Sequence, residues 1–112
     1  MKRAAHYTQQ TRDNPQTGEI TRHAQFSLGR LGATPAALEA MQRAGQNPLD
    51  FLARHVRGDW GEVCEEDRRE NEFALQHGFR LLSVYTTQAG EKVWLISEAD
   101  RSATTLLLPS DY

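Results

Sequence analysis

The chain reads as an α+β domain: a polar N-terminal β-hairpin or strand, three helices, then a three-stranded antiparallel meander. Three observations predict this. Two segments of helical length, each opened by Pro and closed by Gly, occupy residues 34–58, and a third, acidic at its start, is closed by Gly78. Segments rich in β-branched and aromatic residues, at hairpin spacing, occupy residues 79–108. The chain has 112 residues, 38% apolar and 25% charged, which suits one hydrophobic core and argues against wholesale disorder.

Residues 1–25 predict a polar basic hairpin or a flexible arm. Asn14-Pro15 and Gly18 supply turn chemistry between Thr-rich flanks, but there are too few apolar residues for a core of its own. Residues 26–112 then form the single α+β domain. A short strand is expected in Gln25–Leu31, where Phe26 and Leu28 share a face. Thr34-Pro35 opens the first helix and Gly45 closes it, with Leu38 and Met41 as its apolar stripe. Asn47-Pro48 opens the second and Gly58 closes it, with Leu49, Leu52, Ala53 and Val56 at helical spacing. Only Gln46 separates the two, which predicts a tight αα-corner. The third helix runs from Glu65 to His77 and ends at Gly78. Its first turn is acidic, and Phe73, Ala74 and Leu75 form its expected buried patch.

Strands are expected at Phe79–Thr86, Lys92–Ser97 and Ala103–Leu108, with Pro109 ending the last. Val93 and Leu95 point one way, Trp94 and Ile96 the other. Both sheet faces therefore need cover: one from the helices, the other from the N-terminal strands or from a second copy in a homodimer.

Formal net charge is −2, from +3 in residues 1–31 and −5 in residues 32–112. That excludes nucleic-acid coating by bulk charge but leaves a basic arm, with Arg3, Arg12, Arg22 and Arg30 as candidate nucleic-acid contacts. No apolar run reaches the roughly 18 residues of a membrane span, and the opening lacks a secretory apolar stretch, so a cytoplasmic protein is expected. The single Cys64 excludes a disulfide framework and Cys-rich zinc modules. His6 and His23 lack a third ligand, so neither metal nor cofactor is expected.

The stretches His55–Gly61, Gly78–Tyr85 and Val93–Pro109 resemble a family of short bacterial proteins of plasmids and integrative elements. These are described as plasmid-related proteins and sometimes as type I restriction endonuclease subunit M. The resemblance covers about Phe26 to Tyr112 and implies no activity, cofactor or site residue. The hairpin before Phe26 is an addition to it. Methyltransferase activity is rejected on the residues. Neither Asn14-Pro15 nor Asn47-Pro48 starts a Pro-Pro pair, and the chain holds no Gly-rich cofactor loop and is too short for a Rossmann-like domain.

Two constellations carry potential chemistry. The loop Glu98–Thr105 sets an acid, a guanidinium and hydroxyls between two strands. Arg101 suits a phosphate, Ser102, Thr104 and Thr105 add hydroxyls, and Glu98 suits proton exchange. The same residues also read as an ordinary polar turn. His55, with Glu98 and Arg101, would complete a metal-independent ribonuclease-like set, or it simply ends its helix. Candidate partner contacts are Asp59, Trp60, Glu65, Glu66, Asp67 and Glu70, though Trp60 between two glycines equally reads as a core plug. The expected function is a non-catalytic accessory protein of a mobile element. Its macromolecular partner would be a defence or restriction complex or a plasmid maintenance factor. The alternatives are the ribonuclease-like toxin and a nucleic-acid-binding arm.

Overall fold

The computed structural model describes residues 22–112. The expected hairpin lies almost wholly outside them. In chain order the elements are β1 (Arg30–Ala33), α1 (Pro35–Ala44), α2 (Pro48–Val56), α3 (Glu65–His77), β2 (Leu81–Thr86), β3 (Lys92–Ser97) and β4 (Ala103–Leu107). A 3₁₀ turn, Pro109–Asp111, follows.

The helix boundaries follow their caps. Thr34 Oγ1 accepts from the Ala37 N–H at 3.1 Å, and Asn47 Oδ1 accepts from the Leu49 N–H at 2.8 Å. Gly45 and Gly78 take left-handed conformations just past α1 and α3. The Thr34 hydroxyl also donates to Asp111 at 2.6 Å, so the cap of α1 holds the C-terminal turn in place.

The three-stranded meander is present, in a four-stranded mixed sheet of order β1-β4-β3-β2. β2, β3 and β4 run antiparallel, and β1 joins β4 in parallel register, Arg30 opposite Ala103. The first strand thus lies later than expected. Phe26 and Leu28 pack inward without being strand. Leu28 gives its carbonyl to Thr104, and Gly29 at φ 67° breaks the extended run. A side chain at Gly29 would collide with the backbone of Arg101 and Ser102, so only Gly brings these segments together. β2 starts at Leu81, two residues after the expected start, because the Phe79 N–H still bonds to Ala74 O of α3 at 3.3 Å. β4 stops before Leu108, whose N–H turns to Asp111 at 3.0 Å.

The main core lies between one sheet face and α1 and α2. Leu31, Ala33, Tyr85, Val93, Leu95 and Leu106 of the sheet meet Ala37, Met41, Leu49, Phe51, Leu52 and Val56. A smaller cluster of Trp60, Ala74 and Leu81 seats α3, with Phe26 packed against both. Fully burying one Leu or Val contributes roughly 1.5–3 kcal/mol, so the main cluster dominates stability. The buried residues of α3 are Asn71 and Ala74, and the expected patch fails at Phe73, which is 56% exposed.

β2 is an edge strand, and the outward backbone groups of Leu82 and Val84 are already used. Asn71 donates from Nδ2 to Leu82 O at 2.7 Å, and its Oδ1 accepts from Leu82 N–H at 3.1 Å. Val84 N–H donates to Trp60 O at 3.0 Å, and Val84 O accepts from Glu62 N–H at 2.7 Å. Side chain and loop together close the edge at these two residues. Among the described residues no helix is long and apolar enough to cross a membrane.

Candidate functional site

His55 lies inside the core. It is fully buried, on the last turn of α2, and its ring nitrogens meet two strand hydroxyls. Nδ1 lies 2.6 Å from Ser83 Oγ and Nε2 lies 2.9 Å from Ser97 Oγ. Ser97 Oγ is 2.6 Å from Thr104 Oγ1, which donates to Leu28 O at 2.8 Å. The proton positions follow from the end of this chain of bonds. A carbonyl only accepts, so the Thr104 proton points to Leu28. Thr104 then accepts from Ser97, Ser97 accepts from His55 Nε2–H, and Nδ1 accepts from Ser83. The bonds therefore put a proton on Nε2, and burial keeps the ring neutral. Burial first, and the nearby Arg101 charge second, lower its pKa from 6.5 to about 3. Phe26 stands edge-on to His55 at 5.2 Å, and Trp60 at 5.8 Å.

Arg101 is close to this network but serves the backbone. Nη1 donates to the carbonyls of Phe79 at 2.7 Å, Glu98 at 3.0 Å and Ala99 at 3.2 Å. Nη2 donates to Ala74 O at 2.9 Å, near the C-terminus of α3, where a cation complements the helix dipole. Its guanidinium lies 5.6 Å from the Phe26 ring centre, so that ring stands beside both Arg101 and His55. Desolvation lowers the Arg101 pKa. Arg101 also holds φ 61°, an uncommon conformation for a residue with a side chain.

The set expected for a ribonuclease is thus brought near but not assembled. His55 has no solvent contact and both nitrogens are occupied, so it cannot take a proton from a bound substrate. Thr104 is buried in the same network and Thr105 is 8% exposed on the opposite sheet face. Ser102 N–H bonds to Asp100 at 3.0 Å and Glu98 lies 3.6 Å from Arg80, so the loop is a satisfied polar turn.

The expected partner contacts divide. Trp60 is a core plug: it is 4% exposed and its indole N–H donates to Glu72 at 2.9 Å. Asp59 pairs with Arg54 at 2.7 Å and accepts from Gly61 N–H, bonds that hold its carboxyl below its usual pKa. Glu65 is gripped by Arg68 and Arg69, at 2.5 and 3.4 Å, with the same consequence. Glu66, Asp67 and Glu70 are exposed, and their side chains make no hydrogen bond or ion pair among the described residues. Of the basic candidates, Arg3 and Arg12 lie outside the described residues. Arg22 gives its carbonyl to Arg57 Nε at 3.2 Å, and Arg30 is exposed at the start of β1.

Those three free carboxylates line a groove of about 600 Å³ between α3 and the start of β2. Phe73, Phe79, Ala74 and Leu82 give it apolar walls, and Arg69 and Arg80 line it as well. Phe73 and Phe79 are 56% and 54% exposed and stack with ring centres 5.9 Å apart, nearly parallel at 8°. His77 stacks on Phe73 at 4.1 Å. The available sequence signal was spacing. Glu66, Glu70, Phe73 and His77 fall at i, i+4, i+7 and i+11, one helical stripe, whereas Asn71 and Ala74 lie on the buried one. The groove offers contact area and charge and no nucleophile or base pair. Among the described residues no cluster of His, Cys, Asp or Glu could hold a metal ion.

Comparison of the chain with protein-family models, with curated proteins and with solved structures found no match.

Proposed function

We propose that the chain is a non-catalytic accessory protein that binds a protein partner through the groove between α3 and β2. The observation that carries this reading is the pair of stacked, half-exposed phenylalanines beside three carboxylates with no side-chain partner among the described residues. Solvent-facing aromatic pairs are costly to leave in water and are enriched where partners dock. The residues with chemical potential, His55 and Arg101, are spent on holding the fold together. A host defence or restriction complex, or a plasmid maintenance factor, would fit the mobile-element setting that the resemblance suggests.

The test is affinity capture from bacterial lysate, with and without nuclease, using the full chain and its Phe73→Ser/Phe79→Ser variant. A nuclease-resistant protein held by the parent chain and lost by the variant is the expected result. Recovery of nothing, or equal recovery by both chains, overturns the proposal.

A further inference from the structure

We infer that the groove receives a basic amphipathic segment of the protein partner, docked through its side chains and not as an added strand. This rests on the binding role proposed above and supplies the partner's chemistry.

Three features converge. The first is the closed edge of β2. Leu82 spends its outward N–H and C=O on Asn71, and Val84 spends its own on Trp60 and Glu62. An incoming strand finds no backbone groups to pair with there, so recognition falls to side chains. The second is the stripe on α3. From Glu66 to His77 it runs about 16 Å, three turns of helix, acidic at its start and aromatic at its end. A partner helix laid along it needs cations at one end and apolar side chains at the other. The third is the sign of the charge. α3 carries five carboxylates against two arginines, Arg68 and Arg69, both bound to Glu65. Arg80, which also lines the groove, faces Glu98. Glu66, Asp67 and Glu70 therefore set the potential of the groove, which attracts Lys and Arg and repels phosphate. Arg in particular can place its guanidinium against the exposed Phe79 ring while bonding a carboxylate.

The test titrates the full chain with three labelled probes: a synthetic Lys/Leu amphipathic helix, the same helix with Glu in place of Lys, and a single-stranded oligoribonucleotide. Only the Lys/Leu helix is expected to bind, more weakly as salt rises. Glu66→Lys/Glu70→Lys and Phe73→Ala/Phe79→Ala should each weaken it at least about tenfold. Glu39→Lys, an exposed control on α1, should not. The inference is overturned if the Lys/Leu helix fails to bind, if the Glu helix or the oligoribonucleotide binds as tightly, or if the control weakens binding equally. Should lysate capture remain sensitive to Phe73 and Phe79 while the Lys/Leu helix does not bind, this inference falls and the binding role stands. Should capture fail as well, both fall.

Discussion

The His55 network and the α3 groove hold polar groups under opposite conditions. Around His55, each nitrogen and hydroxyl of a buried chain from Ser83 to Leu28 finds a partner in the core. At the groove, Glu66, Asp67 and Glu70 find none among the described residues, and two aromatic rings stay half in water. A buried polar group without a bond costs about 1–3 kcal/mol, whereas a solvated carboxylate costs nothing. The first region therefore has to be complete for the chain to fold. The second is free to be shaped by what it meets.

The contrast is broken most severely at His55. His55→Ala should cost about 3–5 kcal/mol in denaturant unfolding, because it leaves a cavity and takes a buried partner from both the Ser83 and the Ser97 hydroxyl. A cost below about 1 kcal/mol would mean the network contributes little. Acid probes the same site without mutation. The folded pKa of about 3 lies below the unfolded 6.5, so below pH 6.5 the unfolded chain binds the proton and the native one does not. Stability should be full above that pH and fall by about 2 kcal/mol between pH 6.5 and 5. Carboxylates held low by their partners, such as Asp59 and Glu91, lose their contribution only at lower pH. A flat stability profile from pH 7 to 5 would show that His55 is not held neutral. Arg101→Ala should cost about 2 kcal/mol by releasing the carbonyls of Ala74 and Phe79, and Lys, lacking the planar fork, should not restore it.

The groove should respond in the reverse way. Phe73→Ala and Glu70→Lys should change unfolding free energy by no more than about 0.5 kcal/mol, since both residues are exposed, while removing partner capture. Loss of stability comparable to that of Arg101→Ala would make Phe73 a folding residue and erase the contrast.

Much of the fold was legible because its signals are local. Thr34-Pro35, Asn47-Pro48, Gly45 and Gly78 mark helix ends through caps that need no tertiary contact. Lys92–Ser97 matches its expected range because alternation and flanking turns specify it. The parallel seat of β1 was not legible, since it depends on Gly29 meeting a loop more than seventy residues away. The groove was half legible. The acidic turn of α3 reads as a partner surface, but Phe73 reads as core until the packing of Asn71 and Ala74 fixes which stripe faces inward.

By itself, the sequence determined the α+β class, the three helices and their caps, the antiparallel meander and an acidic α3, all set by spacing within a few residues. Tertiary structure alone decided the use of the polar side chains. His55, Ser83, Ser97 and Thr104 lie on separate elements, and only strand pairing and the packing of α2 onto the sheet bring them within hydrogen-bonding distance. The same packing sends Arg101 to backbone carbonyls and leaves Phe73 and Phe79 facing outward, because a side chain's role depends on which partners the fold places beside it and which water keeps.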